Sequence, residues 1–333
     1  MRKALIASAM LASALFAWGQ TSPGPVHEPA TGVTGAFEGW FKNPNGTYSL
    51  LLGYYNRSRD AEVDIAIGPG NEIEPGGPDR GQPTHFMPDR NWGMFVVKVP
   101  SDFGTNKITW KLTVDGQTTV IPAGLNPDYE VSPFIEAAVG NTPPVLRLEA
   151  NGPSVQGPLA MVAERKLKLG EALSLPVWAT DDAKFTSATG ARPKNLGPPV
   201  MVHWTKYRGP GAVTFSEDRP EVMPDISRTD AFSGKATTAA TFSEPGEYQL
   251  HVVANDYSGE GGIGFQCCWT TALVSSEGLS STLEWSPGPA RPRPIRRSGV
   301  ALPVLRSVLE SRVLGVHRER RAAVLRRARQ RVV

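Results

Sequence analysis

The residues Tyr248-Gln249-Leu250-His251-Val252-Val253-Ala254-Asn255-Asp256 decide how this chain is read. Tyr248, Leu250, Val252 and Ala254 alternate with Gln249, His251 and Asn255. A period of two lays the first set on the core face of a β-strand and His251 on its solvent face. Pro245-Gly246 turns the chain into the strand, and Asn255-Asp256 ends it.

The same rhythm recurs on both sides. Leu173, Leu175, Val177 and Ala179 alternate, and that run stops at Asp181-Asp182. Val200, Val202 and Trp204 alternate next, then come Ala212–Phe215, Thr237–Phe242 and a closing segment from Phe265 to Val274. With Val145–Leu148 and Lys166–Leu169 ahead of them, these make roughly seven or eight short strands and no helical period. Upstream, Ala36–Lys42 and Thr47–Asn56 flank the hairpin signal Asn43-Pro44-Asn45-Gly46. Glu62–Ile67 alternates, Met94–Val99 is a further strand, and Ile108–Val114 returns through Asp115-Gly116 into Thr118–Ile121. Residues 68–91, crowded with Gly, Pro and Asp, are expected to be a long loop with room for one short strand. The fold class expected is all-β, with two tandem sandwiches at 35–135 and 145–274. The linker at 136–144 carries Asn141-Thr142-Pro143-Pro144.

The ends are different material. Arg2 and Lys3 precede an apolar run from Ala4 to Trp18, with Ala17 and Gly19 as small residues before Gln20. That pattern predicts a signal peptide over 1–19, a spacer over 20–34, and a secreted or periplasmic protein without a transmembrane segment after cleavage. Of the 35 basic and 32 acidic residues, 13 and 4 lie from Ser275 onward, which leaves 22 and 28 in the rest. The body is therefore mildly acidic, which argues against nucleic acid as its partner. The tail, 275–333, is Arg- and Pro-rich. It reads either as disordered or partly helical basic material able to meet anionic surfaces, or as a stretch without a selected role.

Residues 145–274 resemble an immunoglobulin-like sandwich of the polycystic-kidney-disease-repeat or cadherin-like kind found in secreted bacterial proteins. The likeness rests on Trp204 followed by Gly209-Pro210-Gly211-Ala212-Val213-Thr214-Phe215, and on Thr241-Phe242-Ser243 through Asp256. The repeat's usual Trp-Asp-Phe-Gly-Asp-Gly is replaced here by Trp204-Thr205-Lys206-Tyr207-Arg208-Gly209. The resemblance thus implies the fold and not a repeat-specific function. The first domain is more weakly similar to immunoglobulin-like or fibronectin-like modules.

Three groups of residues are candidates for chemistry. The loop after Ala179 and the loop after Ala254 are expected at one end of the second sandwich, which gathers Asp181, Asp182, Asn255 and Asp256. Carboxylates and an amide are hard oxygen ligands suited to calcium, and the same residue types also cap strand ends. Cys267 and Cys268 are adjacent, so strand geometry puts one in the core and one outside. A vicinal disulfide, two free thiols and an intermolecular bridge all remain open. Among Trp40, Phe41, Tyr48, Tyr54, Tyr55 and Trp92, most belong in a core, but Tyr54 and Tyr55 cannot both point inward. Tyr55 and Trp92 are the candidate ligand-binding aromatics. No Gly-x-Ser-x-Gly, His-Glu-x-x-His or phosphate loop occurs. The expectation is a non-catalytic binding or structural module for an extracellular protein or polysaccharide. The alternative is a pair of carbohydrate-binding accessory domains in a secreted hydrolase system.

Overall fold

The computed structural model describes residues 32–137, 139–159, 161–167, 170–184, 198–225, 232–257 and 267–278. The expected signal peptide and the tail past Gly278 lie outside the described residues, as does 185–197 of the loop expected after Asp182. The described residues belong to one compact unit. They are all-β apart from a single 3-10 turn at Pro127–Tyr129. No helix among them is long and apolar enough to cross a membrane.

The first half carries β1 (Val33–Lys42), β2 (Tyr48–Asn56), β3 (Val63–Asp64), β4 (Asn71–Glu74), β5 (His85–Phe86), β6 (Asp89–Val99), β7 (Lys107–Val114) and β8 (Gln117–Gly124). They form the sheets β1-β2-β6 and β4-β7-β8, with a short β3-β5 ladder. Asp115 and Gly116 both have positive φ, the geometry that lets a two-residue turn follow the twist of its strands. The segment 68–91, expected to be mostly loop, holds β4, β5 and the start of β6. Side chains supply part of what its backbone needs: buried Asn71 donates to the carbonyls of Pro83 and, just ahead of the segment, Ile65, Gln82 Nε2 donates to the Pro78 carbonyl, and Asn71 is itself fixed by Trp110 Nε1. A loop rich in Gly and Pro can pack when side-chain amides supply partners its backbone lacks.

The second half carries β9 (Val145–Arg147), β10 (Ser154–Gln156), β11 (Met161–Leu167), β12 (Leu173–Asp181), β13 (Met201–Arg208), β14 (Val213–Phe215), β15 (Met223–Pro224), β16 (Phe232–Phe242), β17 (Tyr248–Asn255) and β18 (Trp269–Gly278). One sheet runs β10-β9-β12-β16-β14, with β15 also on β16; the other runs β11-β18-β17-β13. Pairing is antiparallel except between β11 and β18. Leu175, Val177 and Ala179 on one sheet meet Val202, Trp204, Leu250, Val252 and Ala254 on the other in a shared core. That is the arrangement of a β-sandwich.

The first half packs a separate core around Leu50, Leu52, Tyr54, Phe86, Phe95 and Trp110, and Tyr207 of β13 joins it. Tyr207 reaches across to donate from its hydroxyl to the Gly81 carbonyl at 2.5 Å. Beside it, Arg208 holds Asp79 bidentately, both contacts at 2.8 Å, and Lys206 pairs with Asp64 at 3.2 Å. The Arg208 bonds hold the Asp79 carboxyl below its ordinary value. This covering explains one correction. His251 does alternate away from Val252, as the sequence predicts, yet it is buried rather than solvent-facing. Its ring lies 5.6 Å from that of Tyr207, because the outer face of this sheet is covered by the first core.

Candidate functional site

The outer face of β1-β2-β6 is built around a buried acid. Register places Thr34, Tyr55 and Arg90 in one row across the three strands, with their side chains on one face. Gly53, two residues before Tyr55, leaves that face open. A Cβ there would stand 2.2 Å from Glu38 Oε1 and 3.0 Å from Arg90 Nη1. Glu38 fills the gap. Its Oε1 accepts from Arg90 Nη2 at 2.5 Å and its Oε2 from the Gly93 amide at 2.6 Å. Burial raises the Glu38 carboxyl, and the Arg90 charge and Gly93 amide pull against that rise. Arg90 Nη1 also donates to the carbonyls of Tyr54 and Asn91, so the guanidinium is fixed in place.

A bulge then sets the aromatic. Leu52 pairs with Phe95 and Tyr54 with Asn91, so Trp92, Gly93 and Met94 stand against Gly53 alone. The extra residues push Trp92 outward onto Arg90, whose guanidinium carbon sits 3.9 Å from the indole centroid. Gly93 has φ +54, and the Trp269 indole lies so close that a Cβ would fall 2.3 Å from it. No residue with a side chain fits there. Trp92 is 49 % exposed and Tyr55 43 %, whereas Tyr54, Trp40 and Phe41 are buried. The result is a fixed ring, a fixed cation and a second ring on one open face, able to stack on a flat apolar surface and donate hydrogen bonds at its edge.

The second candidate lies at the end of the second core. Strand β12 continues through Asp181, which therefore falls on the core face after Ala179 and is 5 % exposed. Asp181 Oδ1 accepts from the Ala183 amide at 2.8 Å, and its Oδ2 has no partner. Desolvation pushes the Asp181 carboxyl up to about 7, with the charges of Asp256 and Asp182 adding to the rise. Asp182 accepts from the Thr142 amide and hydroxyl, and Lys184 stands 3.5 Å away. Asp256 accepts from Asn141 Nδ2 at 2.6 Å. Three of the expected residues thus share a neighbourhood, held from the segment that the sequence assigns to a linker: Asn141 bonds Asp256 and Thr142 bonds Asp182. Asn255 departs from the set: strand alternation turns it away from Ala254 and its own Oδ1 is unpartnered elsewhere. Among the described residues no three Asp, Glu, His or Cys side chains converge to hold a metal by themselves.

Cys267 and Cys268 form a disulfide with each other, across a cis peptide bond. Both are buried, against the expectation of one inside and one outside. They precede β18 rather than lie in it, so strand alternation does not govern them. Cys268 Sγ lies 3.4 Å from the Asn141 carbonyl oxygen.

A further groove, of about 520 Å³, runs beside the 3-10 turn between Phe37, Pro122, Leu125, Pro127 and Tyr129. Tyr129 is exposed and its ring lies 5.6 Å from Phe37. Sequence reading passed over it; the one signal was an aromatic two residues after Asn126-Pro127 with no strand to bury it. No protein-family model matches the chain, and no curated protein is similar to it.

Proposed function

We propose that the chain is an exported, non-catalytic binding module of two tandem β-sandwiches, whose first-half outer face contacts a polysaccharide. One observation carries this reading: Trp92 and Tyr55 stand exposed around an Arg90 that a buried Glu38 holds rigid. Binding sites gain affinity when rings and charges are fixed before the ligand arrives, because less freedom is then lost on association. A sugar ring offers an apolar face for the indole and hydroxyls for the guanidinium, and a saccharide chain suits an open face better than a pocket. An exposed protein surface is the competing partner, since Trp, Tyr and Arg are also the residues of protein hot spots.

The immunoglobulin-like reading of the second half has support of its own. The orders β9-β12-β16-β14 and β18-β17-β13 follow those of that fold. Trp204 lies in the core on β13, and the Tyr248 hydroxyl donates to the carbonyl of Glu244 four residues upstream. That bond has the form of the tyrosine corner of immunoglobulin-like domains, which supports the reading. Arg2, Lys3 and the following apolar run support export.

The test is a panel of immobilised polysaccharides probed with the purified chain, its Trp92→Ala variant and its Tyr55→Ala variant. Retention by at least one glycan, lost about tenfold or more in Trp92→Ala, is expected. Binding that both variants keep intact would sink the assignment of this face. No glycan binding, with capture of an extracellular protein that Trp92→Ala abolishes, would move the partner to a protein.

A further inference from the structure

We propose that the polar end of the second core binds a divalent cation of the calcium class, with Asp181, Asp256 and the side-chain carbonyl of Asn141 as its protein ligands. Two buried oxygens point to it. Asp181 Oδ2 and Asn141 Oδ1 have no hydrogen-bond partner, although both residues are more than nine-tenths buried. Buried acceptors are almost always satisfied, and these two are linked through Asp256, which bonds Asn141 and acts by its charge on Asp181. The charges of Asp256 and Asp182 both act on Asp181, which favours a positive partner for its open oxygen, and Lys184 stands beside Asp182.

The donors select the ion. Carboxylate and amide oxygens are hard ligands, which calcium takes in flexible geometry while keeping waters in its remaining positions. Magnesium demands near-ideal octahedral placement, which a strand end and a linker amide do not provide. Asn141 is held for the role because its Nδ2 donates to Asp256, which fixes the amide and leaves its carbonyl oxygen as the open end. With two carboxylates and one amide, the site belongs among weak, millimolar-range sites rather than tight intracellular sensors. It would also tie the Asn141 segment to the ends of β12 and β17, beside the Cys267–Cys268 disulfide that already touches Asn141.

The experiment uses the full chain after chelator treatment, titrated calorimetrically with calcium chloride and melted in about 10 mM calcium or magnesium chloride. One calcium per chain is expected, with a dissociation constant of about 0.1–1 mM. Calcium should raise the melting temperature by about 3–6 °C, and magnesium by less than half of that. Asp181→Asn should weaken binding at least tenfold while melting no lower than the wild type in chelator. No heat and no melting shift in the wild type would overturn the proposal and leave a shared proton as the neutralising partner. Undiminished binding by a folded Asp181→Asn chain would overturn it too, by placing the ion elsewhere. Asp256→Asn repeats the comparison from the other strand should Asp181→Asn fail to fold.

Discussion

Glu38 and Asp181 are both carboxylates withdrawn from water inside β-sheets, and they are treated in opposite ways. Around Glu38 the chain supplies its own counter-charge: Arg90 takes one oxygen and the Gly93 amide the other. Around Asp181 one oxygen meets the Ala183 amide, the other meets nothing, and the nearest charges are the like-signed Asp256 and Asp182. The difference separates scaffold from site. A buried acid whose partners are all internal holds neighbouring groups in place, here Arg90 and through it Trp92. A buried acid with an open oxygen and like-signed neighbours is where an added positive charge would stabilise most, which is the basis of the calcium proposal.

Breaking the satisfied pair should have the largest effect. Arg90→Met strands the Glu38 carboxylate and should lower stability by about 3 kcal/mol in urea denaturation. Adding Glu38→Gln to Arg90→Met should recover much of that loss, because the stranded charge is then gone. A loss below about 1 kcal/mol in Arg90→Met would erase the contrast, since Glu38 would then tolerate burial alone.

His251 extends the comparison to a base. It is buried with Nε2 unpartnered, and burial, helped by the charge of His203, lowers it to about 3 from an ordinary 6.5. The unfolded chain therefore takes up a proton that the folded chain refuses between those values. The stability that His251 contributes is complete above pH 6.5 and is lost as pH falls toward about 3. From pH 6.5 to 5 this amounts to at most about 2 kcal/mol. His251→Phe should flatten that part of the stability profile, and an unchanged profile would mean the ring gains a proton in the folded state.

What the sequence makes legible follows from the range of the interaction. Strand period and turn chemistry are local, so β12, β13 and β17 could be read from Leu175, Val202 and Leu250 and their neighbours. The core position of Asp181 was within the same logic, since it continues Leu175, Val177 and Ala179 at the same spacing. It was missed because Asp usually ends a strand. The cover over His251 was not legible, for the alternation gives a face but not what packs against it. Nor was the Glu38–Arg90 pair, whose members are 52 residues apart and meet only because Gly53 carries no side chain. A glycine inside a strand is a sign of close approach, but it does not name the group that comes close.

Asp181→Asn tests the open side of the comparison and should carry the opposite sign to Arg90→Met. In chelator at pH 8, above the value near 7 to which burial lifts this carboxyl, the wild type holds an unneutralised charge there. The amide removes that charge and can donate toward Asp256, so stability should rise by about 1 kcal/mol. A fall of similar size would mean that the carboxylate makes a contact stronger than its repulsions, and Glu38 and Asp181 would then be alike.

Trp92→Ala should disturb the fold least. Arg90 keeps its bonds to Glu38, Tyr54 and Asn91 without the indole, so the frame beneath survives. Losing a half-exposed ring and its cation–π contact should cost about 0.5–1 kcal/mol. An indole that anchored a core would cost about 3–5 kcal/mol. Measuring stability and glycan retention on one preparation separates the two roles of the ring. Retention lost with stability kept means the face is a binding surface that Glu38 holds rigid. A loss above about 2 kcal/mol would instead make Trp92 a packing residue wedged against Arg90, and the binding role of the outer sheet would lose its anchor.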